Sequence, residues 1–209
     1  MNCILCNSRL LEPIHIEKPH RFYNCSSCGS IVRSTDTFPN AIFEIERYES
    51  HNNDVNDPRY QKFVSPITLA VQADFSAQNS LGLDFGAGTG PVITKLLNNK
   101  GYSLKLYDPF FHPDKSVLEE KYDYIVCCEV IEHFHQPLKE FQLLKNLLKP
   151  KGKLYCMTDI FRYQISFGDW YYKNDPTHVI FYTEKSLQWI QKQMGFNELI
   201  IEKRLIVFS

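Results

Sequence analysis

The sequence predicts an α/β fold built on a doubly wound, mainly parallel sheet, with a small metal-stapled unit in front of it. Three observations carry that expectation. Apolar segments of strand length recur at 81–85, 104–107, 122–128, 153–158 and 199–208, separated by stretches with helical spacing. A turn with three spaced glycines, Gly86, Gly88 and Gly90, leaves the first of these segments and enters a helix at Pro91. Two Cys-x-x-Cys pairs lie near the N-terminus, in a stretch poor in large apolar residues.

The elements follow in order. Residues 1–35 hold too few bulky apolar side chains to make a core unaided, so a staple is expected there. Residues 36–57 read as a connector, polar toward its end. The segment 58–75 has helical spacing with a break expected near Pro66. Strands and helices then alternate, with helices starting at Pro91, near Gln136, and after Thr183, whose hydroxyl suits a cap. The last apolar stretch, 199–208, is long enough for a hairpin. Such alternation implies a sheet covered on both faces, with ligands at the carboxyl ends of its strands.

Composition narrows the function classes. The 209 residues are 44% hydrophobic and 22% charged with a net charge of -1, an ordinary globular balance with no global field for nucleic acid or anionic lipid. No apolar run reaches the length of a membrane span, and the N-terminus lacks the basic-then-apolar layout of a signal peptide, so a cytoplasmic location without membrane partners is expected.

Cys3, Cys6, Cys25 and Cys28 form the pattern C-x2-C-x18-C-x2-C, with glycine after the last cysteine. In a reducing compartment that pattern points to a tetrahedral zinc site, ahead of a redox pair or an iron–sulfur centre. Four thiolates leave no open coordination position, so such zinc is structural. The ribbon is more basic than the rest of the chain, and Arg9, Lys18, His20, Arg21 and Arg33 are candidates for RNA phosphate contacts; packing on the larger domain is the equal alternative.

The glycine turn excludes two common ligands. Its spacing is not the G-x-G-x-x-G of a dinucleotide site, and it lacks the Gly-Lys-Ser/Thr of a Walker loop. What remains is D-x-G-x-G-x-G from Asp84 to Gly90, with bare backbone and a carboxylate side by side. That suits a ligand carrying both a carboxylate and an ammonium. Asp108 ends the next strand, where an acid can accept two ribose hydroxyls. An adenosine joined to an amino acid, S-adenosylmethionine, meets both requirements, and a purely structural turn is the alternative.

On the stretches "LDFGAGTG", "LYDP", "YDYIVCCEVIEHF", "LLKPKGKLYCMT" and "DPTHVIFYTEKSLQWIQKQMGF", residues 58–209 resemble the class I S-adenosylmethionine-dependent methyltransferases, a Rossmann-like fold. The resemblance implies that Gly86, Gly88 and Gly90 face the cofactor, that Asp84 lies near its methionine end, that Asp108 and Pro109 border the ribose, and that Cys128 and Glu129 close the site. One departure stands out. Only the residues 109–121 separate Asp108 from Tyr122, too few for the family's third strand and its helix, so the fold should be reduced there; Phe110 or Phe111 is the candidate to stack on the adenine or close the pocket edge, and core packing of both is the equal alternative.

Glu129, Glu132 and His133 stand in an E-x-x-E-H pattern that resembles the metal-binding motif of small-RNA 2′-O-methyltransferases and some quinone-biosynthesis O-methyltransferases. With His178 it implies a candidate site for a divalent ion. His133 or His178 as general base, with Glu129 beside it, and a purely orienting role are the alternatives. His135 reads as a surface histidine. The aromatic loop 161–182 is a candidate acceptor wall through Trp170, Tyr171 and Tyr172, or a plain packing cluster. The expected function is methyl transfer to a small-molecule hydroxyl. RNA is the second acceptor class, and a non-catalytic interaction module is the third reading.

Overall fold

The computed structural model describes residues 1–51 and 53–209. Strands β1 (His15–Glu17), β2 (His20–Asn24) and β3 (Ile31–Arg33) open the chain, followed by helices α1 (Ala41–Glu49) and α2 (Pro58–Asp74). The larger sheet is then built from β4 (Leu81–Phe85), α3 (Val92–Asn98), β5 (Ser103–Tyr107), β6 (Tyr122–Cys128), α4 (Pro137–Leu147) and β7 (Leu148–Met157). After a long aromatic loop come β8 (Ile180–Phe181), α5 (Glu184–Met194) and the hairpin β9 (Leu199–Glu202) and β10 (Leu205–Phe208).

The larger sheet has the order β5-β4-β6-β7-β10-β9, with β5, β4, β6 and β7 parallel and β10 antiparallel to both its neighbours. Its inner strands β4, β6, β7 and β10 are largely apolar on both faces because both are covered. Leu83, Ile125, Cys127 and Leu154 point into one core with Phe141 and Leu144 of α4 and Leu187 and Ile190 of α5. Tyr124, Val126, Tyr155 and Met157 point into the other, against Val64, Ile67 and Val71 of α2 and Val92, Ile93 and Leu97 of α3. Between β5 and β6 the chain makes one short turn of helix, Lys115–Glu119, tied down where Tyr122 O–H donates to Val117 O at 2.6 Å. β5 is therefore an edge strand, and the sheet is reduced at the place the short segment 109–121 predicts.

Local chemistry explains the helix ends. Thr183 and Ser186 cap α5 reciprocally, side chain to backbone in both directions, and Gly195 closes it in the left-handed region at φ +66°. Pro66 does not break α2, contrary to the expectation from its sequence. Its missing N–H leaves Lys62 O without its usual donor, and Ser65 Oγ donates to that oxygen at 2.8 Å instead. β7 begins at Leu148, before the apolar run at 153, with Lys151 at φ +65° and a register irregularity opposite Tyr122–Tyr124.

Two departures bear on function. The stretch 36–57 is more than a connector: Asn40 Oδ1 accepts Phe43 N–H and starts α1, which packs over the carboxyl ends of the large sheet. The cysteine-bearing unit is also not self-contained, because β3 pairs with β8 from the far half of the chain to complete a four-stranded sheet, β1-β2-β3-β8. Among the described residues no helix is long and apolar enough to cross a membrane.

Gly82, in the middle of β4, lies under the ring of Tyr124: a Cβ there would sit 2.3 Å from Cε2. Gly82→Ala should lower stability by about 1–3 kcal/mol through overpacking, read as a lower urea midpoint at an unchanged slope.

Candidate active site

The parallel register sets β4, β5 and β6 side by side, Phe85 opposite Tyr107 and Asp84 opposite Val126, so the segments leaving all three open at one edge of the sheet. They line a cavity of about 830 Å³, a size suited to a cofactor and a small acceptor together. Gly86 at φ +78° and Gly88 at φ +59° take conformations that favour glycine. A Cβ on Gly86 would strike Val130, whereas one on Gly88 would point into open space at the cavity wall. Gly90, expected to face the same ligand, instead abuts the backbone of Asn53, where a Cβ would sit 2.0 Å from its carbonyl oxygen.

Asp84 is buried beneath the turn and is not part of the cavity wall. Thr94 Oγ1 donates to its Oδ2 at 2.7 Å, and burial pushes its carboxyl up to about 6, with Asp108 adding in the same direction. Asp108 does line the cavity. Its Oδ2 accepts Gly88 N–H at 3.0 Å and its Oδ1 accepts Phe110 N–H at 2.8 Å and Phe111 N–H at 3.1 Å, which locks the glycine turn to the next strand end. Pro109, Phe110 and Cys128 continue the wall, with Phe110 facing Tyr48 of α1 at 6.2 Å; Phe111 packs behind Phe110.

Glu129 holds a left-handed backbone conformation, φ +54°, costly for a residue with a side chain and a mark of functional sites. Its Oε2 accepts Arg204 Nη2 at 2.6 Å and Tyr172 O–H at 3.0 Å, and its Oε1 is buried without a partner. Glu132 is 0% exposed; Tyr172 O–H bonds its Oε1, and its Oε2 has no partner. Burial pushes both carboxyls up to about 7, and for Glu129 the nearby Glu132 adds to the effect. Burial between two acids also drives the Tyr172 phenol far above its ordinary range, so it stays protonated. Thr158 Oγ1, at 3.0 Å, completes the bonds around that phenol.

The two histidines are set in the same way. His133 Nδ1 donates to Thr177 O at 3.0 Å, and His178 Nδ1 donates to Tyr172 O at 2.8 Å. A carbonyl only accepts, so each Nδ1 carries the proton and each Nε2 keeps a lone pair. Burial lowers both, His178 to about 3 with His133 adding to the shift, so both rings are neutral near pH 7. Their centroids lie 4.9 Å apart, edge to face, and both line the cavity. One ligand atom each from Glu132, His133 and His178 lie within 4.8 Å of one another. Glu129, expected to join a metal cluster there, turns to Arg204 instead.

The aromatic loop divides. Tyr171, 61% exposed, and Tyr172 line the cavity, whereas Trp170 is buried in a cluster with Phe22, Ile31, Phe161, Phe167 and Phe181. His135, expected at the surface, sits 3.4 Å from Glu44 and 4.9 Å from the Phe38 ring, at the cavity rim. Several wall residues carry no motif. Glu44, Arg47 and Tyr48 come from α1, Arg47 pairing with Asp175 at 2.8 Å, and Arg204 reaches the site from the turn between β9 and β10. The asparagine before an apolar stretch at Asn40 was the one available signal for α1; the reach of Arg204 had none.

The four cysteines form a second candidate site. One sulfur of each lies within 4.8 Å of the others, Cys3 to Cys28 at 3.7 Å and Cys6 to Cys25 at 3.4 Å. Four thiolates at ~2.3 Å from zinc stand roughly 3.8 Å apart, so the set fits that ion. The two knuckles repeat: Asn7 and Gly29, each following a second cysteine, are left-handed and donate N–H to Cys3 O and Cys25 O. The hydrogen bond from Cys28 lowers the Cys3 thiol despite burial. Of the basic residues expected to meet RNA, Arg33 is 3% exposed, with Nη1 and Nη2 donating to Pro176 O and Thr37 O, so its burial keeps it from phosphate.

A family model described as a methyltransferase domain matches residues 58–200. Among solved structures, the chain is similar to Burkholderia thailandensis 1,6-didemethyltoxoflavin-N1-methyltransferase with bound 1,6-didemethyltoxoflavin and S-adenosylhomocysteine, at 15% identity and TM-score 0.54, covering 95% of this chain and 97% of that one. It is similar to human N-acetylserotonin methyltransferase in complex with SAM at 13% identity and TM-score 0.54, covering 84% of this chain and 61% of that one. CalO1, a methyltransferase in calicheamicin biosynthesis, matches at 14% identity and TM-score 0.51, covering 72% and 55%. The chain thus spans little more than half the length of the last two. No curated protein matches the sequence.

The buried Asp84 makes a pH prediction. Its carboxyl rises from 3.8 to about 6 in the fold, so between those values the unfolded chain gives up a proton the folded chain keeps. Stability therefore falls as pH rises through that window, by roughly 3 kcal/mol once complete. Urea unfolding at pH 4.5 and pH 7.5 should show that part of the fall vanish in Asp84→Asn, whatever constant offset the amide adds.

Proposed function

The chain belongs to the methyltransferase-domain family, and from that premise we propose that it is an S-adenosylmethionine-dependent methyltransferase of a small-molecule hydroxyl. The observation that carries the donor is the lock between Gly88 N–H and Asp108 at the cavity wall, where Gly88 leaves open space and the acid stands at the end of β5. S-adenosylmethionine supplies a methyl group on a sulfonium, already activated for transfer. Gly86 and Gly88 then bring bare backbone to its amino-acid end, Asp108 with Pro109 takes the ribose, and Phe110 closes the adenine edge.

The rest of the cavity is the acceptor side. Tyr48, Tyr171 and Tyr172 offer flat apolar faces with polar tips, suited to a ring-bearing acceptor. The free Nε2 atoms of His133 and His178 accept a hydrogen bond from its hydroxyl and fix its direction. Glu129 is the proton acceptor we favour, because it lines the cavity, its Oε1 has no partner and its carboxyl is pushed up to about 7, where removal of a proton at neutral pH is best matched. Arg204 and Tyr172 hold the other oxygen in place.

A second reading of the same wall has its own observation. Glu132 Oε2 is buried with no partner beside both imidazoles, and that donor set fits a divalent ion that would hold the acceptor oxygen. The thiolate cluster is read as structural zinc in an N-terminal ribbon.

Calorimetry with S-adenosylhomocysteine should show one site per chain, and Asp108→Ala should weaken it at least ~10-fold by removing a charged acceptor. Glu129→Gln should leave that affinity within about 2-fold and cut methyl transfer to a panel of phenols and catechols by roughly 10²-fold or more. Loss of cofactor affinity in Glu129→Gln with undiminished turnover would reverse the assignment. Elemental analysis of the purified protein separates the metals: zinc at one per chain for the ribbon, and a second ion, lost in His178→Ala, for the alternative wall.

A further inference from the structure

We infer that the N-terminal cysteine ribbon is a positioning element of the acceptor wall, acting through Arg33 on the strap Asp175–Phe181 that carries His178. This rests on the reading of the cavity as a methyltransferase site and of the four cysteines as a zinc ligand set. The strap is stitched on both sides. On one side β3 pairs with β8, Ile31 opposite Phe181 and Val32 opposite Ile180, and Arg33 N–H donates to Val179 O at 2.9 Å. On the other, Val179 N–H donates to Glu132 O at 3.0 Å and His133 Nδ1 donates to Thr177 O. The two strap edges thus tie the ribbon to both histidines.

The Arg33 side chain adds the only buried charge at this seam among the described residues of the ribbon. It is 3% exposed and its Nη1 donates to Pro176 O at 2.6 Å, two residues before His178. Three further contacts cross the same seam. Thr183 Oγ1 donates to Gly29 O at 2.9 Å, directly after Cys28. Lys173 Nζ donates to Glu17 at 2.6 Å. Phe22 and Ile31 of the ribbon share one core with Trp170 and Phe181 and with Tyr172 of the wall. A solvated ribbon that only reached outward for a partner would need none of these.

The ribbon has no core of its own, since Cys3, Leu5, Leu10 and Val32 join the larger sheet's core, so the cysteine cross-link is what holds its own segments together, and that order passes to the strap through paired backbone. The glycine turn and Asp108 lie on β4 and β5 and share none of these bonds. Loosening the ribbon should therefore loosen the acceptor wall and spare the cofactor side.

The test is amide hydrogen exchange on the full-length, metal-loaded protein, with S-adenosylhomocysteine calorimetry alongside. Release of metal by a chelator, followed by elemental analysis, should speed exchange across residues 172–181 by ~10-fold or more, leave β4 and β6 protected, and keep the affinity for S-adenosylhomocysteine within about 3-fold. Arg33→Met, which needs no metal for its interpretation, should do the same, and Arg33→Lys should restore part of the protection. Unchanged exchange in 172–181 after metal release or in Arg33→Met overturns the proposal, as does uniform loss of protection through β4 and β6. If the protein holds no metal, the zinc reading fails and the Arg33 variants decide alone; if it binds no S-adenosylhomocysteine, the methyltransferase reading fails while the exchange result still stands.

Discussion

The parallel pairing of β4 with β5 and β6 is the constraint on which the site depends. Because the strands are in step, β4, β5 and β6 end within about a residue of one another, and three chain reversals are forced to share a single edge. One of them must be nearly bare to leave room for a ligand, and Gly86 and Gly88 meet that need. The next supplies Asp108, which ties the first two reversals together through Gly88 N–H. The third supplies Glu129, whose left-handed backbone turns the chain sharply, with His133 reaching the same space and Glu132 buried behind it.

That arrangement concentrates polar groups where water is scarce. Buried carboxylates are costly unless bonded, and here one phenol, Tyr172, serves both Glu129 and Glu132, with Arg204 offsetting the charge on the first. Burial keeps the two imidazoles neutral, and the carbonyls of Thr177 and Tyr172 hold each in one tautomer. What results is a set of lone pairs, two imidazole nitrogens and a Glu129 oxygen in residues of the wall and a Glu132 oxygen buried behind them, held in place from behind. The aromatic core beneath the strap and the ribbon beside it supply that backing.

Much of the scaffold was legible because its signals are local. The buried strands at 81–85 and 122–128 are continuous apolar runs, Thr183 announces its own helix, and the cysteine spacing brings four sulfurs together. The short segment before Tyr122 revealed the reduced edge of the sheet by length alone. What escaped was set by long-range packing or by compensation. Pro66 reads as a break, and only Ser65 bonding Lys62 O shows why the helix continues. Asp84 reads as a ligand contact, yet the placement of α3 turns it toward Thr94 and away from the cavity. Gly90 serves the approach of Asn53 rather than the open wall. Arg204 sits in a hairpin turn whose sequence says nothing of its reach across to Glu129, and β8 is too short to announce that it completes the ribbon's sheet.

The central claim is that the shared edge of β4, β5 and β6 holds the methyl donor with its ribose on Asp108. A crystal structure of the protein grown with S-adenosylhomocysteine tests it most directly. The account predicts both ribose hydroxyls on the Asp108 carboxylate, the amino-acid end against Gly86–Gly88, and the sulfur turned toward Glu129 and His178. A nucleoside bound elsewhere, or in this cavity with its ribose away from Asp108, would contradict it.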